Sequence, residues 1–195
     1  EHPLKFDTLL GRGIEHGNER RTSVKATSFQ DFITVAAVAS NYVMDSGVHY
    51  AEFQINAGGT YIGIVRPMPN LDPGRYADDS FSFTMRRFYG EFLALRTDEW
   101  GGGGVHACLY SSLDGCMAWT DWRDRAIEEW EGSEDCQVND TIGMLLDFNN
   151  GTLAVYKNNR RLGVMKDGLS GSYCWYVSAW ARSAVAIKRN SLPEH

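Results

Sequence analysis

The chain has 195 residues, 43% of them hydrophobic and 12% aromatic, enough apolar mass for one sizeable core and too much for a disordered segment. A formal net charge of −6 disfavours a partner held by phosphate contacts, so no nucleic acid is expected. No apolar run approaches the length of roughly 18 residues that a membrane helix needs, and no leader pattern is present, so no membrane association is expected either.

The sequence opens on Glu1, which suggests a segment of a longer protein with flanking domains. Residues 1–22 are polar and include Arg20-Arg21. They read as an N-terminal extension or, over Leu4 to Leu10, as a first strand or a tether laid across the core. Val24 to Phe29 and Phe32 to Val38 follow. Ile33-Thr34-Val35 favours strand, whereas the alanine-rich Val35 to Ser40 also suits a helix. His49 to Asn56 alternates, with Tyr50, Glu52 and Gln54 on one face and Ala51, Phe53 and Ile55 on the other. Gly58-Gly59 turns the chain into Tyr61 to Val65, which is apolar on both faces and therefore a central strand. Pro67, Pro69 and Pro73 have no N–H to give a ladder, so Arg66 to Asp79 reads as a long surface loop.

Ser80 to Leu95 is rich in phenylalanine but follows neither a helical nor a strand period. Gly101 to Gly104 is a flexible link or an insertion. It lacks the Lys-Ser/Thr of a phosphate-binding loop. Val105 to Ser111 reads as strand and Leu113-Asp114-Gly115 as turn. Asp121 to Glu131 is the one expected helix, with Asp121 as its cap and Ala126, Ile127 and Trp130 at helical spacing. Glu128, Glu129, Glu131, Glu134 and Asp135 make this an acidic region, either a solvated face or a patch for a basic partner.

The rest of the chain is organised around Thr141 to Trp180. Strands at Ile142 to Phe148, Leu153 to Tyr156, Arg161 to Met165 and Tyr173 to Trp180 form an antiparallel meander. Asn150-Gly151 predicts a type I′ hairpin turn, which needs positive φ at both central residues, and Asn158-Asn159 a second reversal. Ser183 to Lys188 closes the fold. A meander of this size needs a second sheet to cover it.

Motifs for chemistry are missing. There is no G-x-S-x-G elbow, and His2, His16, His49, His106 and His195 show no metal-binding spacing. Cys108, Cys116, Cys136 and Cys174 form no C-x-x-C pair and read as reduced thiols of an intracellular protein. The carboxylates form no recognisable catalytic pair. Two glycosylation triplets, at Asn139 and Asn150, carry little weight because such triplets are common by chance. No enzyme activity, metal or cofactor is expected. Six tryptophans supply core, and any left exposed are candidate contacts.

Three segments in order carry a resemblance. Gly143, Leu146, Asp147, Gly151, Thr152 and Leu153, followed by Asn158, Asn159 and Gly163, match a "G-x-x-LD-x-x-x-GT-L … N-G/N-x-x-x-G" pattern. Upstream, Ser46 to Phe53 is similar to "SG-x-H-Y-W-E", and Tyr61 to Arg66 to a "GV" strand. Together they resemble the SPRY family, of the PRY-SPRY type. Ala51 stands where that family has Trp, so Phe53 or Tyr42 is expected to fill the space. The resemblance implies an all-β, concanavalin-like bent sandwich of two antiparallel sheets with at most one short helix. It also favours strand over helix at Val35 to Ser40, and a single domain over residues 1–195.

In function it implies a non-catalytic protein–protein interaction module, an adaptor or scaffold that binds a partner protein or peptide through surface loops. Such a domain is expected to be monomeric in isolation and cytoplasmic or nuclear. The alternative is a lectin-like sandwich that binds or hydrolyses glycans. Val177-Ser178-Ala179-Trp180 resembles the "V-S-A-x-W" of the SOCS-box-associated subgroup, with Ala181 where that subgroup has Gly, and Tyr76 lies at a similar distance beyond Gly63-Ile64. Tyr76 and Trp180, with Ala181 between Trp180 and the rim residues Arg66, Met68 and Arg182, are the expected contact patch.

Overall fold

The computed structural model describes residues 3–194. His2 and His195 lie outside that range. Two antiparallel sheets of seven strands each face one another. The first contains β1 (Thr8–Leu10), β4 (Thr34–Val38), β6 (Thr60–Val65), β7 (Ala107–Ser111), β8 (Met117–Thr120), β9 (Arg125–Glu128) and β13 (Cys174–Trp180), in the order β1-β4-β13-β6-β7-β8-β9. The second contains β2 (Ile14–His16), β3 (Ser23–Ala26), β5 (Val48–Ala57), β10 (Thr141–Asp147), β11 (Thr152–Lys157), β12 (Arg160–Lys166) and β14 (Ala184–Arg189), in the order β12-β11-β10-β5-β14-β3-β2. The architecture is the expected all-β sandwich, and α1 (Tyr89–Ala94) is the only α-helix among the described residues.

Alternation along the strands builds the core. Ala51, Phe53 and Ile55 of β5 face inward and are buried, as their spacing requires. Where the resemblance leaves room for a tryptophan at Ala51, Phe53 meets Trp175 of the opposite sheet edge to face at 6.0 Å, and Tyr42 packs at the margin. Each such large apolar side chain contributes about 1.5–3 kcal/mol by its burial.

The middle of the first sheet is buried on both sides, although its β9 edge is exposed. Ile62 and Ile64 of β6 point into the sandwich, while Val65 points outward into a second core, so β6 is central as read. Residues 67–106 cover that outer face. This segment includes α1 and short 3-10 turns at Pro73–Tyr76, Arg86–Phe88 and Asp98–Trp100. Its phenylalanines are the lid's underside: Phe81, Phe83, Phe88 and Phe92 pack on one another and on Tyr176 of β13. They follow neither period because Phe81 and Phe83 come from irregular chain, Phe88 from a 3-10 turn and Phe92 from α1. Arg66, Pro67 and Tyr76 of the expected surface loop are buried by the same arrangement.

Three local expectations need correction. Asp121 to Glu131 is not a helix. Asp121 does accept the N–H groups of Arg123 and Asp124, but Trp122 sits at φ +58 with its indole donating to the Phe83 carbonyl, and the chain then pairs as edge strand β9 with β8. A left-handed residue at the second position cannot start an α-helix. The Asn150-Gly151 turn is not type I′, since only Gly151 has positive φ. The loop holds four residues, and Asp147 Oδ1 accepts from Asn149 and Asn150. The requirement for two positive φ values is met instead at Asn158 (+49) and Asn159 (+68), between the paired Lys157 and Arg160. Short β2 and β8 also lie where no strand was read.

Candidate partner-binding surface

Strand β13 crosses the first sheet from Cys174, paired with Val65, to Trp180, paired with Thr34. Beyond Trp180 the chain turns into the second sheet through Ala181 at φ +45 and Arg182 at φ +66, both in the left-handed region. The Ser183 N–H closes this turn on the Trp180 carbonyl at 2.9 Å. The turn holds the Trp180 ring 4.8 Å from Tyr61, tilted at 59°. Gly59 lies under the Trp180 and Leu113 side chains so closely that an added Cβ would fall 2.7 Å and 2.9 Å from them.

Around this pair the surface is unusually apolar for a solvent-facing edge. Phe29 is 76% exposed and Phe32 73%, both on the loop before β4, and Leu113 is 59% exposed. The Arg182 guanidinium stands 4.3 Å above the Phe29 ring. Beside Tyr61 lies a shallow pocket of about 150 Å³, walled by Leu109, Met117 and the exposed Ile127, with Ser111, Asp114 and Arg125 as polar groups. Burial, and then the Asp114 charge, raise the Tyr61 phenol above its ordinary value, so it stays a neutral hydrogen-bonding group. Aromatic rings, an arginine and a small pocket are the materials of a contact hot spot.

The structure does not bring together all six residues that the sequence singles out. Trp180, Ala181 and Arg182 are contiguous on this surface. Arg66 follows Val65, at the far end of β13, six residues or roughly 20 Å away at the usual strand rise. It is 1% exposed. Its Nε donates to His106 Nδ1, Nη1 to the Ser170 and Ser172 carbonyls, and Nη2 to the Gly103 carbonyl. Its Cζ lies 4.3 Å above the Tyr173 ring. Two glycines close on the guanidinium, Gly103 of the glycine run and Gly171 of the loop before β13. A Cβ on Gly103 would stand 2.9 Å from Nη2, and one on Gly171 only 2.7 Å from Nη1. His106 is held neutral down to about 4, first by burial and then by the Arg66 charge.

Tyr76 is 2% exposed. Its ring packs on Phe81 at 4.8 Å and Phe88 at 5.0 Å, and its hydroxyl donates to Glu91 Oε1 at 3.1 Å. Burial and Glu91 push the phenol up to about 12. It therefore belongs to the second core. Met68 lies half-buried on a separate cleft. The exposed Phe29, Phe32, Leu113 and Ile127 and the half-buried Tyr61 were not singled out. The available signal was weak: Phe29 and Phe32 interrupt an otherwise polar stretch, and Leu113 starts a Leu-Asp-Gly turn.

No protein-family model matches the chain, and no curated protein matches it. Solved structures do. The SPRY domain of human HERC1 is similar with a TM-score of 0.57 at 16% identity, over 86% of this chain and 88% of that one. The TRIM65 PSpry domain is similar with a TM-score of 0.55 at 12% identity, over 93% of this chain and 87% of that one. At these identities the likeness is one of fold, and it covers both sheets.

Proposed function

We propose that this chain, which has the SPRY fold, is a non-catalytic interaction module that holds a short peptide or loop of a partner protein at the Trp180 end of its sandwich. The observation that carries the reading is the contiguous solvent-facing cluster of Trp180, Tyr61, Leu113 and Phe29 with Arg182 against it. Apolar groups so exposed and so close together are ordinarily covered in use. Trp180 and Tyr61 are the anchors, Arg182 and Phe29 the rim, and the 150 Å³ pocket takes one small side chain. The SPRY likeness adds support, since SPRY domains serve as adaptor and scaffold modules. The non-catalytic part is supported by side chains that are committed elsewhere. Burial pushes the Cys108 and Cys174 thiols up to about 12, and His106 is bound to Arg66. All four cysteines are free, which suits a reducing intracellular compartment. As an isolated domain it acts as a monomer.

The test is a selection from a random peptide library on this chain, followed by affinity measurement on variants. Trp180→Ala should leave the far-UV spectrum and melting temperature nearly unchanged. It should weaken the selected peptides by about 2 kcal/mol, roughly thirtyfold. If folded Trp180→Ala and Phe29→Ala variants both bind those peptides as tightly as the parent chain, the site lies elsewhere.

A further inference from the structure

At the opposite end of the first sheet, β1, β4, β6 and β13 meet the proline-containing segment after β6, and a cleft of about 470 Å³ opens between them. Its floor is apolar, formed by Val38, Val65, Phe83 and Cys174, with Met68 and Leu71 along one wall. Its rim is polar. Asn41 and Glu99 are exposed there, and Ser40 bonds to Thr8 across the β1–β4 edge at 2.7 Å. The volume lies in the range of ligand sites, and such sites combine an apolar body with a few placed polar groups.

Charge narrows the occupant. Only Arg66 and Glu99 are charged among the lining residues. The Arg66 guanidinium is turned onto Tyr173, His106 and three carbonyls. Glu99, by contrast, enters none of the ion pairs among the described residues and is exposed at the mouth. Asp7 lies near the same rim, where its Oδ2 accepts from the Asn41 N–H. Both carboxylates are close enough to add to the upward push that burial gives the Cys174 thiol on the floor. The cleft therefore offers an apolar base and carboxylates at its mouth, while the one cation of its lining, Arg66, is held by its own hydrogen bonds.

We propose that this cleft is a second binding site, for an apolar side chain of a partner segment flanked by a lysine or arginine whose charge meets Glu99. It goes beyond the Trp180 surface and is independent of it, lying at the other end of β13.

The test is an amide NMR titration of the whole chain with two capped dipeptides, acetyl-Phe-Arg-amide and acetyl-Phe-Glu-amide. The arginine peptide should shift amides of Ser40 to Val43, Val65 to Leu71 and Cys174, and should bind more tightly than the glutamate peptide. Glu99→Gln, an exposed change that leaves the fold intact, should weaken the arginine peptide by about three- to fivefold, the worth of a solvent-exposed ion pair. The proposal is overturned if neither peptide shifts the cleft, if the glutamate peptide binds as tightly or more tightly, or if the arginine preference survives Glu99→Gln. Shifts confined to Trp180, Tyr61 and Phe29 also overturn it, while leaving the first surface standing.

Discussion

The two ends of strand β13 use the same kinds of residue in opposite ways. At the Cys174 end an arginine and its aromatic neighbours are sealed. Arg66 lies over Tyr173, and Trp100, His106 and Trp122 pack within 5.3 Å of one another. At the Trp180 end an arginine lies over Phe29, which stays 76% exposed, and Trp180 packs on Tyr61 with both rings half-buried. Whether an Arg–aromatic cluster serves rigidity or recognition is decided by what the chain lays on top of it. At the first end the lid segment, with its glycines at 101–104, folds over the cluster. At the second the loops stop short.

Breaking the sealed end should have the largest effect. Arg66→Met keeps the bulk but removes donors from His106 and from the Ser170, Ser172 and Gly103 carbonyls. His106 and Ser172 are buried, and leaving their acceptors unpaired should cost about 2–4 kcal/mol, read as a fall in urea-unfolding stability. The matching change at the open end, Arg182→Met, should stay within about 0.5 kcal/mol. Equal losses at both ends would erase the distinction between them.

The sealed end should also be the pH-sensitive one. His106 is neutral in the folded chain down to about 4, whereas an unfolded histidine protonates near 6.5. The unfolded state therefore takes up a proton first as pH falls. The stability this histidine contributes is fully present above about pH 6.5 and is lost progressively towards pH 4, amounting to about 3 kcal/mol. Carboxylates titrate in the lower part of that window, so the comparison is with His106→Gln, whose unfolding free energy should fall less between pH 7 and pH 4.5. Parallel pH profiles for the two chains would place the sensitivity elsewhere.

How far each end was legible follows from the range of its interactions. Strands β5, β6, β10 and β13 alternate or run apolar between turn signals, so local pattern is enough to find them. Strand β9 is exposed along an edge, and its Ala126, Ile127 and Trp130 fit helical spacing as well. What decides is the left-handed, buried Trp122, a tertiary fact. At the open end Trp180 was found through a local motif, but the exposure of Phe29 and Phe32 is not written in their own neighbourhood. At the sealed end Arg66 looked like a loop residue because its carbonyl partners Ser170 and Ser172 stand 104 and 106 residues away.

The smallest change sharpens the comparison at the open end. Ala181 and Arg182 are consecutive non-glycine residues at positive φ, and they sit where the backbone must reverse to carry β13 of one sheet into β14 of the other. Asn158 and Asn159 adopt the same hand in the second sheet, but asparagine tolerates that region, whereas an alanine Cβ crowds its own carbonyl there. Ala181→Gly removes that crowding at the expense of a looser unfolded chain. The net should be a stabilisation of about 0.5–1 kcal/mol, seen as a higher urea midpoint. Asn158→Gly should instead lose stability, because the Asn158 Oδ1 accepts from the Thr141 N–H and its Nδ2 donates to Asp140 Oδ1. The turn's closing bond, Ser183 N–H to the Trp180 carbonyl, involves backbone only and should survive. Trp180 would then keep its place on Tyr61, and selected peptides should bind the variant within about twofold of the parent. A loss of stability in Ala181→Gly would mean that the methyl packs rather than strains, and the turn would then be as well fitted as the sealed end.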